Sequence, residues 1–247
     1  KGPILSCLYA LTALKRLGIK PEREVRIIFG CDEESGFEDL KYYLDHEKAP
    51  IAGFTPDCKY PVVYAERGRA VIKVKADLDH LITFMNNYIL NTQNKGERLG
   101  IDYKNDEFGQ LEIRNYHLTK EDFSFSISYP AGITLEEIID KLNRIEGYEY
   151  EVVSHFKPVY FDKKAPMVEI MKETYEYVTG NDGTPVTTTG GTYAKMMPHI
   201  VPFGPSFPGQ KGIGHNPNEW MTREDLITNA KIYALTLYQL SRKETEL

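Results

Sequence analysis

The spacing of apolar residues changes several times along the chain and predicts helices and strands in turn. Leucines recur every third position from Leu5 to Leu17, which predicts a helix with a face towards the core. The apolar run at residues 25–29 predicts a buried strand, and residues 38–44 predict the next helix. The order helix, strand, helix indicates an α/β layer with a largely parallel sheet.

The middle of the chain has a different pattern, with alternating strands and hairpin signals. Residues 71–76 and 123–129 alternate as strands, and two short β runs surround residues 105–109. Residues 78–90 and 135–145 are amphipathic and predict helices. This mixture is typical of an α+β domain.

The outer parts of the chain share one style and predict one discontinuous domain. Residues 167–178 and 223–240 predict two further helices after the α+β segment. We therefore expect an α/β domain made of residues 1–66 and 158–247, interrupted by an α+β domain at residues 67–157.

Composition excludes some classes of partner. The net charge is −6 without a Lys or Arg run, so we expect no nucleic acid. We also expect no membrane span, because no apolar run approaches the roughly 20 residues that a span needs. The chain has three cysteines, an odd number without CxxC spacing, which favours a reducing cytoplasm over a disulfide framework. Cys31 is expected to be a small buried residue and not a nucleophile.

Four polar residues could carry chemistry, and each has a plainer interpretation. Glu33 and Glu34 follow the strand predicted at residues 25–29, where α/β sheets place their active sites, but they could also form a solvated acidic turn. Asp57 stands in a Thr-Pro-Asp turn before a strand, as a ligand or as a turn former. His215 could be a ligand or a loop histidine capped by neighbouring asparagines.

Several segments together resemble the M20 family of metallopeptidases, and within it the PepV- and Sapep-like dipeptidase branch. They are KGP at the start, CDEESG, GFTPDCKYPVVYAERG, TTTGGTYAKMMPHIVPFGPSFPG and GHNPNEW. The resemblance implies an α/β catalytic domain with a mostly parallel sheet flanked by helices, and an inserted α+β lid. It also implies a monomer that hydrolyses dipeptides with two divalent metal ions, zinc first and manganese or cobalt as alternatives.

The resemblance also implies residue roles. Glu33 matches the general base, which takes a proton from the attacking water. Glu34, Asp57 and His215 match ligands of the two metals. Asp32 matches no chemical role and is expected to support the turn.

A second set of positions matches the segment that lines the substrate. Gly190, Gly191 and Thr192 lie in the GGTYA part of the resemblance. Backbone without side chains can approach a peptide closely and donate N–H groups to it, so we expect these three residues to bind substrate. A flexible loop is the alternative interpretation.

The sequence also departs from the family pattern. A histidine and a bridging aspartate that the family has just before Lys-Gly-Pro would lie upstream of Lys1, and Ser128 stands where the family has an arginine. The family also has a histidine in its lid, and neither His80 nor His117 lies in a segment that matches it. In addition, a predicted strand passes directly into a helix at Ala76 and Asp77, without the usual connecting residues. We therefore expect a chain that lacks an N-terminal portion and part of the lid. Two alternatives to a dipeptidase stay open: a non-catalytic fragment or member of the fold, and an M20 hydrolase of N-acyl amino acids.

Overall fold

The computed structural model describes residues 1–210 and 213–247 and has mixed α/β architecture. The elements, in chain order, are α1 (Gly2–Arg16), α2 (Glu38–His46), β1 (Gly53–Thr55), β2 (Val63–Glu66), β3 (Gly68–Lys75), α3 (Leu78–Phe84), β4 (Lys104–Asn105), β5 (Gly109–Gln110), β6 (Glu112–Leu118), β7 (Asp122–Tyr129), α4 (Leu135–Leu142), β8 (Glu149–Phe156), β9 (Val159–Tyr160), α5 (Pro166–Thr179), β10 (Val186–Thr188), β11 (Ile200–Pro202) and α6 (Arg223–Ser241). Within the described residues, no helix is both long and apolar enough to span a membrane.

The chain divides into two compact units. The first unit contains residues 1–64, 161–186 and 192–247, and the second contains residues 65–160 and 187–191. The assignment of these units to a catalytic domain and a lid stays a prediction.

The first unit is built on helices and a short parallel pair of strands. In that pair Gly53 of β1 lies opposite Ile200 of β11, and Thr55 lies opposite Pro202. Helices α1, α5 and α6 pack around an apolar core. The buried residues of this core are Cys7, Ala10, Tyr60, Val62, Met167, Val168, Met171, Tyr175, Val201, Phe203, Ile232, Tyr233 and Leu240. Residues that follow β1 therefore leave from the carboxyl end of a parallel strand, where α/β folds place their sites.

Helix α1 forms as predicted, but the leucine stripe is not its buried face. Cys7, Ala10 and Leu14 are buried, whereas Leu5 and Leu17 are exposed. The physical reason is that three residues turn a helix by about 300°, so a stripe at every third position drifts by roughly 60° per step. Four such steps spread the leucines over several faces of the helix, and Leu14 is the leucine of the stripe that is buried.

The prediction of a buried strand at residues 25–29 is wrong. Residues 25–30 have no regular secondary structure and join none of the sheets formed by the described residues, and Ile28 and Phe29 are exposed. An apolar alternating run favours extended backbone, yet a strand also needs a hydrogen-bonded neighbour.

The second unit contains a four-stranded antiparallel sheet with helices packed on it. The strand order is β6-β7-β3-β8, and β3 pairs with β7 from Gly68 opposite Tyr129 to Lys75 opposite Asp122. Ala70, Ile72 and Val74 of β3 are fully buried, as the alternation at residues 71–76 predicts. Helices α3 and α4 contribute to the same apolar cluster. The helix predicted at 78–90 is α-helical only as far as Phe84, and Met85–Ile89 form a π-helical turn after it.

Candidate functional site

The acidic segment follows residues 25–30 and forms a turn at residues 33–36. The carbonyl oxygen of Asp32 accepts hydrogen bonds of 3.0 to 3.3 Å from the backbone N–H groups of residues 35–37. The Asp32 carboxylate accepts a bond of 2.9 Å from the N–H of Glu38, the first residue of α2. Asp32 therefore supports the turn, as predicted, and the turn carries the half-buried Glu33 and the exposed Glu34.

Asp57 and His215 reach the same neighbourhood from distant parts of the first unit. Asp57 follows β1 by two residues, and Nδ1 of His215 lies 3.8 Å from Oε1 of Glu34. Asp57 is exposed to solvent, yet the protein atoms around its carboxyl desolvate it, and this raises the pKa of Asp57. The negative charge of Glu34 raises it further, while His215 lowers it. The structure thus brings the three predicted metal ligands within electrostatic reach of one another.

These donors fit a divalent cation in their chemistry. Carboxylate oxygen and imidazole nitrogen are ligands of zinc, manganese and cobalt. Two ligand atoms that are each about 2.1 Å from one ion are separated by no more than about 4.2 Å. The 3.8 Å between Glu34 and His215 meets that limit. Across residues 1–210 and 213–247, however, no group of three or more His, Cys, Asp or Glu is arranged to hold an ion alone. The described residues therefore supply one matched pair of donors and a neighbouring carboxylate.

His215 lies in an exposed loop with its ring beside Glu34. It has a left-handed backbone with φ 59°, and its side chain is exposed. Asn216 donates a 2.8 Å hydrogen bond to the carbonyl of Gly214. The role of the imidazole as a metal ligand stays a prediction.

The predicted substrate-binding residues follow β10. Gly190 and Gly191 are exposed, and the N–H of Gly190 donates a 3.4 Å hydrogen bond to the hydroxyl of Thr188. Thr192 is buried and caps a short 3-10 turn, since its hydroxyl accepts a 3.2 Å bond from the N–H of Ala194. Their contact with a substrate stays a prediction.

Two residues that the sequence did not single out hold the acidic segment. The Asp39 carboxylate accepts hydrogen bonds from the N–H groups of Cys31 and Asp32, at 2.7 and 3.1 Å, and from the Tyr193 hydroxyl, at 2.6 Å. It also accepts a 2.8 Å bond from the N–H of Leu40. Desolvation raises the pKa of Asp39, but these hydrogen bonds outweigh it and leave the pKa below its usual value. The available signals were an acid in the first turn of α2 and the tyrosine of GGTYA.

Cys31 corrects another expectation. Its side chain is exposed and not buried, because residue 31 opens the turn at the surface. Cys7 is buried and Cys58 is half-buried.

Comparisons with known proteins agree on the family. The model of peptidase family M20/M25/M40 matches residues 1–239. The chain is 24% identical to Beta-Ala-Xaa dipeptidase of Lactobacillus delbrueckii subsp. lactis over 350 residues, covering 99% of this chain and 74% of that protein. It is 22% identical to the putative dipeptidase YtjP of Bacillus subtilis over 348 residues, covering 98% of this chain and 75% of that protein. Because these alignments exceed the 247 residues of this chain, many of their positions have no counterpart in it.

A solved structure shows the same fold. Aminopeptidase PepT from Bacillus cereus superposes with a TM-score of 0.69 at 16% identity, covering 98% of this chain and 70% of that one. This likeness confirms the predicted α/β fold of the M20 peptidases. Since the family model also matches nearly the whole sequence, the chain belongs to peptidase family M20/M25/M40, a family of metallopeptidases.

Proposed function

We propose that this chain is a metal-dependent dipeptidase. The observation that carries the proposal is the approach of Glu34, Asp57 and His215 beside the turn that bears Glu33. The two dipeptidase relatives support a dipeptide as the substrate.

In the proposed mechanism, Glu34, Asp57 and His215 would hold two divalent cations, zinc first and manganese or cobalt as alternatives. Such cations, when bound, lower the pKa of water towards ~7 and polarise a peptide carbonyl. Glu33 accepts a proton from the attacking water as the water oxygen bonds to the carbonyl carbon. Glu33 then gives that proton to the leaving amine as the C–N bond breaks.

The backbone of the GGTYA segment would orient the substrate. We assign this role to Gly190, Gly191 and Thr192, whose N–H groups could donate to a peptide carbonyl. We further propose a cytoplasmic monomer. For the compartment, the support is the odd number of cysteines without CxxC spacing.

Glu33→Gln tests the base. The amide has nearly the shape of the carboxylate but cannot accept the proton, so kcat should fall by about 10²- to 10⁴-fold while bound metal is kept. Glu173→Gln on the exposed side of α5 is the matched control and should match the wild type. Metal content and dipeptide turnover of the intact enzyme are measured together. Retained turnover would refute the role, and loss of metal together with activity would make Glu33 a ligand instead.

A non-catalytic member of the fold is the second candidate. It is favoured by the lack of a three-ligand group in the part of the chain that the structure describes. Metal analysis after dialysis separates the two interpretations: two equivalents per chain would contradict a non-catalytic role, and none would favour it.

A parallel assay with N-acyl amino acids would show whether these, and not dipeptides, are the substrates.

A further inference from the structure

Side-chain hydrogen bonds hold the backbone just before Glu33 and Glu34. The two amides directly before Glu33, those of Cys31 and Asp32, donate to the Asp39 carboxylate. Backbone N–H groups need a partner when they leave water, and this carboxylate supplies one for both.

Tyr193 completes this arrangement from a distant part of the first unit. Its hydroxyl donates to Asp39 at 2.6 Å and accepts from the N–H of Asp32 at 3.3 Å. Its ring lies against Phe37, with centroids 5.6 Å apart, and packs on the apolar cluster that contains Leu40. The ring is thereby fixed, so the hydroxyl has one defined place.

These bonds leave Asp32 little freedom. Its N–H is bound to Asp39 and Tyr193, its carbonyl oxygen accepts from residues 35–37, and its carboxylate accepts from Glu38. The next residue along the chain is Glu33. Because Asp32 is held at its N–H, its carbonyl and its carboxylate, the backbone that leads into Glu33 has a defined direction.

We propose that Asp39 and Tyr193 are positioning residues, which set the orientation of Glu33 as base and of Glu34 as ligand. The inference rests on the proposed function of these two glutamates. Outer residues that orient the groups of a metal site typically contribute about 10- to 100-fold to activity or metal affinity.

The variants Tyr193→Phe and Asp39→Asn test this, with two matched controls. Tyr177→Phe removes a hydroxyl from an exposed tyrosine of α5, and Asp45→Asn changes an exposed aspartate of α2 itself. Hydrogen exchange of the peptide that spans residues 29–37 is measured in the metal-free chain. Zinc affinity, kcat and KM for a dipeptide are measured in the loaded enzyme.

We expect faster exchange at residues 29–37 in both variants, weaker zinc binding, and a kcat lower by about 10- to 100-fold with little change in KM. The controls should match the wild type. Wild-type zinc affinity and kcat in Tyr193→Phe would overturn the inference, even where exchange is faster, because the pair would then only support the fold. If Asp39→Asn does not fold, the result for Tyr193→Phe decides the question.

Activity that survives Glu33→Gln would refute the role of Glu33 as base. Hydrogen exchange and zinc affinity would then still test whether Asp39 and Tyr193 position the acidic segment.

Discussion

Gly30 is the position where one added methyl group would test how the acidic turn is held. A Cβ atom there would lie 2.6 Å from Cε2 of Tyr193 and closer still to its Cζ and hydroxyl oxygen. Real Cβ atoms do not approach so closely, so in Gly30→Ala the tyrosine must move. The substitution removes no polar group, so we expect most of its effect to come from the displacement of Tyr193.

The size of the effect follows from the bonds that the hydroxyl would lose. A hydrogen bond to a charged group is worth about 1.5 to 3 kcal/mol net. Tyr193 and Asp39 are both half-buried, which favours the lower end of that range. We expect the free energy of unfolding to fall by about 1.5 to 2 kcal/mol. If that energy is needed to orient Glu33, kcat should fall by about tenfold, since 1.4 kcal/mol corresponds to a factor of ten.

Urea unfolding followed by circular dichroism, together with dipeptide turnover, measures both quantities. A double-mutant cycle isolates the cause. In a Tyr193→Ala background the obstructing ring is gone, so Gly30→Ala should cost less than about 0.5 kcal/mol. An equal cost in both backgrounds would refute the reasoning, because the loss would then arise from the backbone at Gly30 and not from its contact with Tyr193.

Two other predictions address the thiols and the second unit. Cys31 is exposed, whereas burial raises the pKa of the Cys7 thiol to about 12, so a thiol reagent at pH 8 should modify Cys31 well before Cys7. Cys31→Ser should remove the fastest phase of the reaction, and its survival would contradict the assignment. A Cβ at Gly68 would lie 2.6 Å from Cε1 of Tyr129, whose hydroxyl is 2.6 Å from Nε2 of His155. Gly68→Ala should therefore cost about 1 to 3 kcal/mol in urea unfolding, and a wild-type midpoint would refute the clash.

Elements whose signals lie within a short stretch were predictable from the sequence. Helix α4 begins at a capping box, in which Thr134 and Glu137 satisfy each other's backbone N–H groups, and its apolar face is buried. Helix α5 begins with Pro166 and ends at Gly180, which has the left-handed conformation with φ 70°. In each case the residues that start and stop the element are adjacent to it.

Elements that depend on a distant partner were not predictable in this way. Strands β1 and β11 have three residues each and pair with each other, so neither carries a pattern of its own. The run at residues 25–29 has the composition of a strand but no strand partner among the described residues. Composition reports the preference of a segment, whereas pairing depends on the rest of the fold.

In the candidate site, too, single residues could be named from the sequence, whereas the contacts between distant residues could not. Glu34, Asp57 and His215 were named through family resemblance, and their proximity became visible only in the folded chain. The bond between Tyr193 and Asp39 joins residues 154 positions apart, and neither residue carries a local signal for it. No spacing rule could have paired them.

The bond between Tyr193 and Asp39 also changes the meaning of two motifs. In the sequence, CDEESG is notable for its carboxylates, and GGTYA is notable for glycines that could approach a substrate. In the structure, the tyrosine of GGTYA binds the carboxylate that holds the backbone at the start of CDEESG. Tyr193 and the start of CDEESG are therefore joined within the first unit. A shift of Tyr193 would disturb the bonds of Asp39 and, through them, the backbone just before Glu33, so we expect the orientation of Glu33 to depend on this short chain of hydrogen bonds.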